Sequence, residues 1–100
     1  MEQSSSQSNI KERCKIKKPR MYKVIFHNDN FTTFDMVVLL LVSVFSKTTE
    51  EAERLTIKVH QEGHATVGVY TLDVAATKTE KAIKMAREQN FPLLITYEPE

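Results

Sequence analysis

The fold is decided by the stretch Tyr22-Lys-Val-Ile-Phe-His-Asn-Asp-Asn-Phe-Thr32. Up to His27 it alternates between two faces with a period of two, which predicts a strand that buries one side. The three residues Asn28 to Asn30 are turn formers, because their side chains bond their own backbone and tolerate positive φ. A strongly apolar segment, residues 34–46, begins almost at once. The stretch therefore places polar turn residues beside an apolar surface.

Two helices are predicted between this turn and the middle of the chain. Residues 34–46 follow the capping pattern Thr32-x-x-Asp35, and their length favours a mostly buried helix over a buried strand. A second helix begins at Thr48 or Thr49, where Thr48-x-x-Glu51 forms another capping pattern. It ends at Gly63, which suits the positive φ of a helix C-terminus.

The second half of the chain predicts two more strands around a third helix. Residues 66–74 alternate as a strand, Thr77-x-x-Glu80 opens the helix, and residues 93–97 form the last strand after Pro92. The order is β-α-α-β-α-β. Because an amphipathic sheet must bury one face, we predict an α+β fold. Its three helices would pack on one side of a small, mainly antiparallel three-stranded sheet.

Charge divides the chain into two parts. Residues 1–20 carry six basic and two acidic residues, whereas residues 21–100 carry eight basic and eleven acidic ones. We predict a disordered basic extension over 1–20 and one folded domain over 21–100. The basic extension is compatible with a nucleic-acid or acidic protein partner, and also with a simple solvated tail.

Composition excludes several classes of function. The longest apolar run, residues 36–45, is shorter than the roughly 20 residues of a membrane span, so we expect a cytoplasmic protein with no membrane partner. Cys14 is the only cysteine, which excludes an internal disulfide and fits a reducing compartment. The two glycines, Gly63 and Gly68, form no phosphate-binding loop. His60 and His64 have a zinc-compatible spacing but lack further ligands. We expect no enzyme, no cofactor and no metal.

The candidate site combines Asn28 and Asp29 with His60. A carboxylate, an amide oxygen and an imidazole nitrogen can together accept the three hydrogens of an ammonium group. Phe34 and Val37 on the first helix, and Thr56 one helical turn before His60, would add an apolar surface. The same residues are equally what a chain turn, a helix cap and a helix end require, so a purely structural role stays open.

Several dispersed motifs agree with one known family. They are Tyr22 to Thr32, Val59-His60-x-x-Gly63, Gly68-Val69-Tyr70-Thr71, Thr77-Lys78, Ala86-Arg87-Glu88 and Pro92-Leu93-Leu94. In this order they resemble ClpS, the ATP-dependent Clp protease adaptor of the bacterial N-end rule, from residue 21 to the C-terminus. The resemblance implies an adaptor that binds target proteins through their first residue, preferably Leu, Phe, Tyr or Trp. It would deliver them to the N-terminal domain of a Clp AAA+ unfoldase of the ClpA or ClpC type.

The resemblance also implies a role for particular residues. Those that would bind the substrate α-amino group are Asn28, Asp29 and His60. Those that would form the side-chain pocket are Thr32, Phe34, Val37, Thr56 and Leu93, with Phe34 as the gate against β-branched side chains. Those that would contact the unfoldase are Asp73 and Lys78. The extension 1–20 matches in placement the family's flexible segment, which is needed for handover.

This chain departs from the family pattern at four positions. Asn30 replaces a common Asp, Phe34 and Thr56 replace frequent Met residues, and Leu39 replaces a common acidic residue. These changes affect the expected preference for the first residue. One alternative is therefore a regulatory partner of the unfoldase that reads no amino terminus. A nucleic-acid binder acting through residues 1–20 is a further alternative, although no nucleic-acid partner is expected, because the domain is acidic and lacks a GXXG loop.

Overall fold

The computed structural model describes residues 19–100. Their elements, in chain order, are β1 Met21–His27, α1 Phe34–Ser43, α2 Thr49–Glu62, β2 His64–Thr71, α3 Leu72–Glu88 and β3 Leu94–Pro99. The predicted α+β class and the order β-α-α-β-α-β are confirmed. Most of the predicted extension, residues 1–18, lies outside the described residues. The division of the chain at residue 20 stays a prediction.

The sheet has the strand order β2-β1-β3, and both strand pairs are antiparallel. Val24 and Phe26 on the central strand are fully buried, in one core cluster with the apolar residues of all three helices. The helices therefore cover one face of the sheet, as its alternating pattern predicts. At the far end of β1, His27 lies opposite His64 of β2 and Leu94 of β3. This end of the sheet is where the candidate site is built.

Helix α1 begins at Phe34, as the predicted segment 34–46 does, but its N-cap lies one residue later than predicted. Its N-cap is Thr33, whose hydroxyl oxygen accepts a hydrogen bond of 3.2 Å from the backbone N–H of Met36. The prediction of a cap at Thr32 is wrong because the Thr32 hydroxyl donates to Asp29 instead. The helix also ends earlier than predicted, at Ser43, and Ser46 adopts a left-handed φ of 57°.

Helix α2 has both predicted boundaries. Thr48 is its N-cap and accepts a hydrogen bond of 3.1 Å from the N–H of Glu51. Gly63 closes it with φ 89°, and its N–H donates to the carbonyl of Val59 over 2.9 Å. The left-handed conformation costs a glycine little, so the chain turns sharply from α2 into β2 at this point.

The junction of β2 and α3 differs from the prediction. Strand β2 ends at Thr71, and α3 begins at Leu72, so the pattern Thr77-x-x-Glu80 lies inside the helix rather than at its start. The buried residues of α3 explain this result. Ala75, Thr79, Ala82 and Ala86 follow the helical period and form one continuous stripe, which begins before the predicted start. Packing of this stripe outweighs the strand-like alternation of residues 72–74.

Within residues 19–100, none of the three helices combines the length and the apolar character that crossing a membrane requires.

Candidate functional site

Strand pairing brings the two halves of the site together. Because His27 and His64 are paired, the turn after β1 lies beside the connection between α2 and β2. The N–H of Asn28 donates a hydrogen bond of 2.8 Å to the carbonyl of Gly63. His60 lies in the last turn of α2, three residues before this glycine. Residues far apart in sequence thereby meet at one end of the sheet.

Asp29 holds the conformation of the turn. One carboxylate oxygen, Oδ1, accepts hydrogen bonds from the backbone N–H groups of Phe31 (2.8 Å) and Thr32 (2.7 Å). The other, Oδ2, accepts from the hydroxyl of Thr32 over 2.8 Å. A carboxylate offers about four lone-pair positions, so three are used and one is left. The carboxylate can therefore brace the turn and still accept a hydrogen bond from a ligand.

The environment of Asp29 keeps it ionised. Partial burial alone would raise the pKa of its carboxyl, but the hydrogen bonds from Thr32 and Phe31 and the positive charge of Arg87 hold the pKa below its ordinary value. Arg87 is itself fixed, because its Nη1 donates to the carbonyls of Phe91 (2.9 Å) and Leu93 (2.8 Å). The site therefore carries a negative charge at neutral pH.

These elements enclose a cavity of about 400 Å³. The residues that line it are Asn28, Asp29, Asn30, Thr32, Thr33, Phe34, Val37, Thr56, Val59 and His60. Val37, Thr56 and Val59 are almost completely buried and form its floor, whereas the polar residues of the turn and His60 lie at the rim. Phe34 as a whole residue is 46% exposed. The cavity thus combines hydrogen-bond acceptors at its edge with an apolar interior.

The structure brings seven predicted site residues to this cavity and leaves one away from it. Leu93 is not among the lining residues and is only 1% exposed within the hydrophobic core. It belongs to the core cluster that the sheet shares with the three helices, and it does not line the cavity. The roles of the other seven in binding remain a prediction.

The sequence prediction missed three lining residues, Asn30, Thr33 and Val59. Val59 could have been found, because it follows Thr56 by three residues on a helix and must share its face. The sequence identifies Asn30 as a turn residue and Thr33 as a residue near a helix start, but neither pattern indicates that these residues line a cavity.

The two residues predicted to contact an unfoldase lie in different environments. Asp73 is exposed in the first turn of α3. Lys78 is half-buried, and its Nζ donates a hydrogen bond of 2.9 Å to the carbonyl of Val44 at the end of α1. The same Nζ lies 5.9 Å from the ring centre of Phe45 and 5.6 Å from that of Tyr70. Lys78 thus stabilises the end of α1 from within the fold.

With this geometry in view, comparisons with known proteins identify the family. The family model of the ATP-dependent Clp protease adaptor protein ClpS matches residues 17–96. The chain belongs to the ClpS family. A relative named ATP-dependent Clp protease adapter protein ClpS, from Clostridium acetobutylicum, is 44% identical over 93% of this chain and 92% of its own length. A relative of the same name from Acetivibrio thermocellus is 51% identical over 84% of this chain and 85% of its own length.

A solved ClpS structure shares the fold. ClpS2 of Agrobacterium tumefaciens, bound to L-phenylalaninamide, superposes with a TM-score of 0.81 and 36% sequence identity. The match covers 83% of this chain and 100% of that one. The arrangement of three helices on an antiparallel sheet is thus the ClpS arrangement, and the chain is a member of a family of Clp protease adapters.

Proposed function

We propose that this protein binds the free α-amino group and the large hydrophobic first side chain of target proteins, and delivers them to a Clp AAA+ unfoldase for degradation. The observation that carries the proposal is the cavity itself, with acceptors of Asn28, Asp29 and His60 at the rim and an apolar floor behind them. An ammonium group attached to a hydrophobic side chain has complementary chemistry. No catalytic step is part of the proposal.

The rim supports recognition of the ammonium group. The ionised carboxylate of Asp29 has one lone-pair position left, and charge-assisted hydrogen bonds of this kind are stronger than neutral ones. A blocked amino terminus would leave these acceptors unpaired in a partly dry site, which costs free energy. The site therefore favours a free terminus over an acylated one.

The floor supports recognition of the side chain. Transfer of a Leu- or Phe-sized side chain from water into an apolar cavity is worth roughly 1.5–3 kcal/mol. Phe34 lines the cavity and is half exposed. In the proposal, its ring restricts entry of side chains that branch close to the backbone. Among the expected first residues, Leu, Phe, Tyr and Trp, none branches at Cβ.

The related ClpS2 structure supports the same chemistry. L-phenylalaninamide combines a free amino group with an aromatic side chain, and its amide nitrogen stands where the next peptide bond of a protein would begin. This ligand is a minimal first residue. Carried over to the present chain, it would place its amino group at the turn after β1 and its ring on Val37, Thr56 and Val59.

Delivery needs a second surface. In the proposal, the exposed carboxylate of Asp73 contacts the N-terminal domain of a ClpA- or ClpC-type unfoldase, and Lys78 contributes mainly by holding the end of α1. The alternative is a regulatory partner that docks on the unfoldase without reading amino termini. The two functions differ in one property, which is affinity for short peptides.

A peptide panel tests the proposal. Fluorescence anisotropy with otherwise identical peptides that begin with Leu, Phe, Trp, Ile or Arg should show binding of the first three and at least about tenfold weaker binding of Ile and Arg. Equal or undetectable affinity across the panel would support the regulatory alternative. Degradation of a Phe-started reporter by a Clp unfoldase and peptidase, with and without this protein, then tests delivery.

A further inference from the structure

A second groove of about 330 Å³ lies next to the cavity. It runs between the first half of α1 and the last turns of α3, and its apolar lining consists of Met36, Leu39, Met85 and Phe91. Leu39 is 50% exposed, although it is one of the larger apolar side chains of α1. Methionine side chains adapt their shape to different apolar partners, so such a lining tolerates varied sequences.

The groove and the cavity meet at the start of α1. Thr33, the N-cap of α1, lines both of them. A chain that enters the cavity with its amino group at the turn after β1 can leave it over this residue. From Thr33 to Leu39 the helix rises about 9 Å, which an extended chain covers with about three residues. The second to fourth residues of a bound target would therefore lie along the groove.

The edges of the groove are acidic. Asp35 at the start of α1 and Glu88 at the end of α3 both contribute to its lining. Their carboxylates favour a segment that carries Lys or Arg and oppose one that carries Asp or Glu, more strongly at low ionic strength. An apolar segment followed by a basic residue fits both the floor and the edges.

We propose that this groove binds the residues that follow the first residue of a target, and selects targets with apolar side chains at the third and fourth positions. The inference rests on the proposed function, because it extends the same binding site along the target. Its occupant is the target chain itself, not a second copy of this protein and not an unrelated partner.

Three probes with free amino termini test the groove: phenylalaninamide, Phe-Ser-Leu-Leu-Lys and Phe-Ser-Ser-Ser-Lys. The first is too short to reach the groove and reports on the cavity alone. We expect the Leu-Leu peptide to bind about fivefold to tenfold more tightly than the Ser-Ser peptide. Leu39→Gln should remove this difference and leave the affinity for phenylalaninamide unchanged. Val42→Gln is the matched control, because Val42 is exposed on the same helix and does not line the groove.

The outcomes separate the groove from the cavity. Normal binding of phenylalaninamide with equal affinity for the two peptides would overturn the groove and leave the proposed function intact. Absence of phenylalaninamide binding would overturn both. If the Leu-Leu peptide bound equally well after acetylation of its amino terminus, the groove would be an independent docking site, and the proposal would be wrong.

Discussion

At the scale of single residues, the position of Asp29 is compatible both with a structural role in the turn and with a role in ligand binding. Its three short hydrogen bonds to Phe31 and Thr32 are those of a chain turn, and this was one of the two roles open from the sequence. The same bonds fix the carboxylate at the rim of the cavity with one lone-pair position unused. A residue that is rigidly held before a ligand arrives loses little entropy when it binds.

Asp29→Asn separates charge from turn geometry. The amide oxygen can still accept from the two backbone N–H groups, but the negative charge is lost, so the affinity for a Phe-started peptide should fall by about tenfold to a hundredfold. Anisotropy measures this change, with Glu53→Gln on the exposed side of α2 as a control of equal charge. An unchanged affinity would show that the carboxylate serves the turn alone.

The same variant has a signature in the pH dependence of stability. Because folding lowers the pKa of the Asp29 carboxyl, its stabilising contribution is present above the unfolded value near 4 and is lost as the pH falls through the folded value. The difference in unfolding free energy between the wild type and Asp29→Asn should therefore be constant above about pH 5 and shrink below about pH 4. Urea denaturation at several pH values measures it, and a difference that grows in acid would contradict the assignment.

Thr79 carries a buried hydroxyl group without a hydrogen-bond partner in the described part of the chain. It is 4% exposed in the buried stripe of α3, and its hydroxyl has no hydrogen-bond partner among residues 19–100. Thr79→Val keeps the shape and removes the unpaired group, so the free energy of unfolding should rise by about 1 kcal/mol. Thr77→Val, at an exposed position of the same helix, is the control and should change little. A destabilised Thr79→Val protein would indicate that the hydroxyl has a partner.

At the scale of elements, the sequence predicts those helix boundaries that depend on local chemistry. Thr48 and Gly63 bound α2 as predicted, because capping and a positive φ are satisfied by the residues themselves. The predicted start of α3 was wrong because the sequence of residues 72–74 is also compatible with a strand. The helix is favoured there by the packing of its buried stripe against the sheet. The cap of α1 moved by one residue because Asp29 competes for Thr32.

The candidate site shows the same difference between features set by local sequence and features set by tertiary contacts. The turn and the helix that carries His60 could be predicted from spacing, since each is a local feature. Leu93 was placed at the cavity by resemblance, whereas the structure buries it in the core. Its orientation depends on how the segment before β3 is held by Arg87, and this is a tertiary contact that no local pattern encodes.

Gly63 ends the helix that carries His60, and its carbonyl accepts a hydrogen bond from the N–H of Asn28. Its φ of 89° is unfavourable for any residue with a Cβ, yet no atom lies within 4 Å of where that Cβ would stand. Gly63→Ala should therefore lower the free energy of unfolding by about 1–2 kcal/mol through backbone strain alone. Gly63→Asn should cost less, because Asn tolerates the left-handed conformation. Urea denaturation compares the two variants. Equal losses for both would mean that the left-handed conformation does not set the cost.

At the scale of the whole molecule, the fold separates a buried core from the exposed edge where the cavity opens. Buried residues of β1 and of all three helices form one core, and the cavity opens where the end of β1 meets α1 and α2. Asp73 lies at the start of α3, whereas the groove lies beside the last turns of the same helix. A target and an unfoldase could thus be bound at opposite ends of α3 without competing for the same surface.

Acetylation of the target amino terminus is the most direct test of the whole account. Two peptides of identical sequence that begin with Phe, one free and one acetylated, differ only in the group that the rim is proposed to recognise. Anisotropy titrations should show saturable binding of the free peptide and loss of at least about a hundredfold in affinity for the acetylated one. Equal affinity for the two peptides would contradict recognition of the amino group by Asn28, Asp29 and His60.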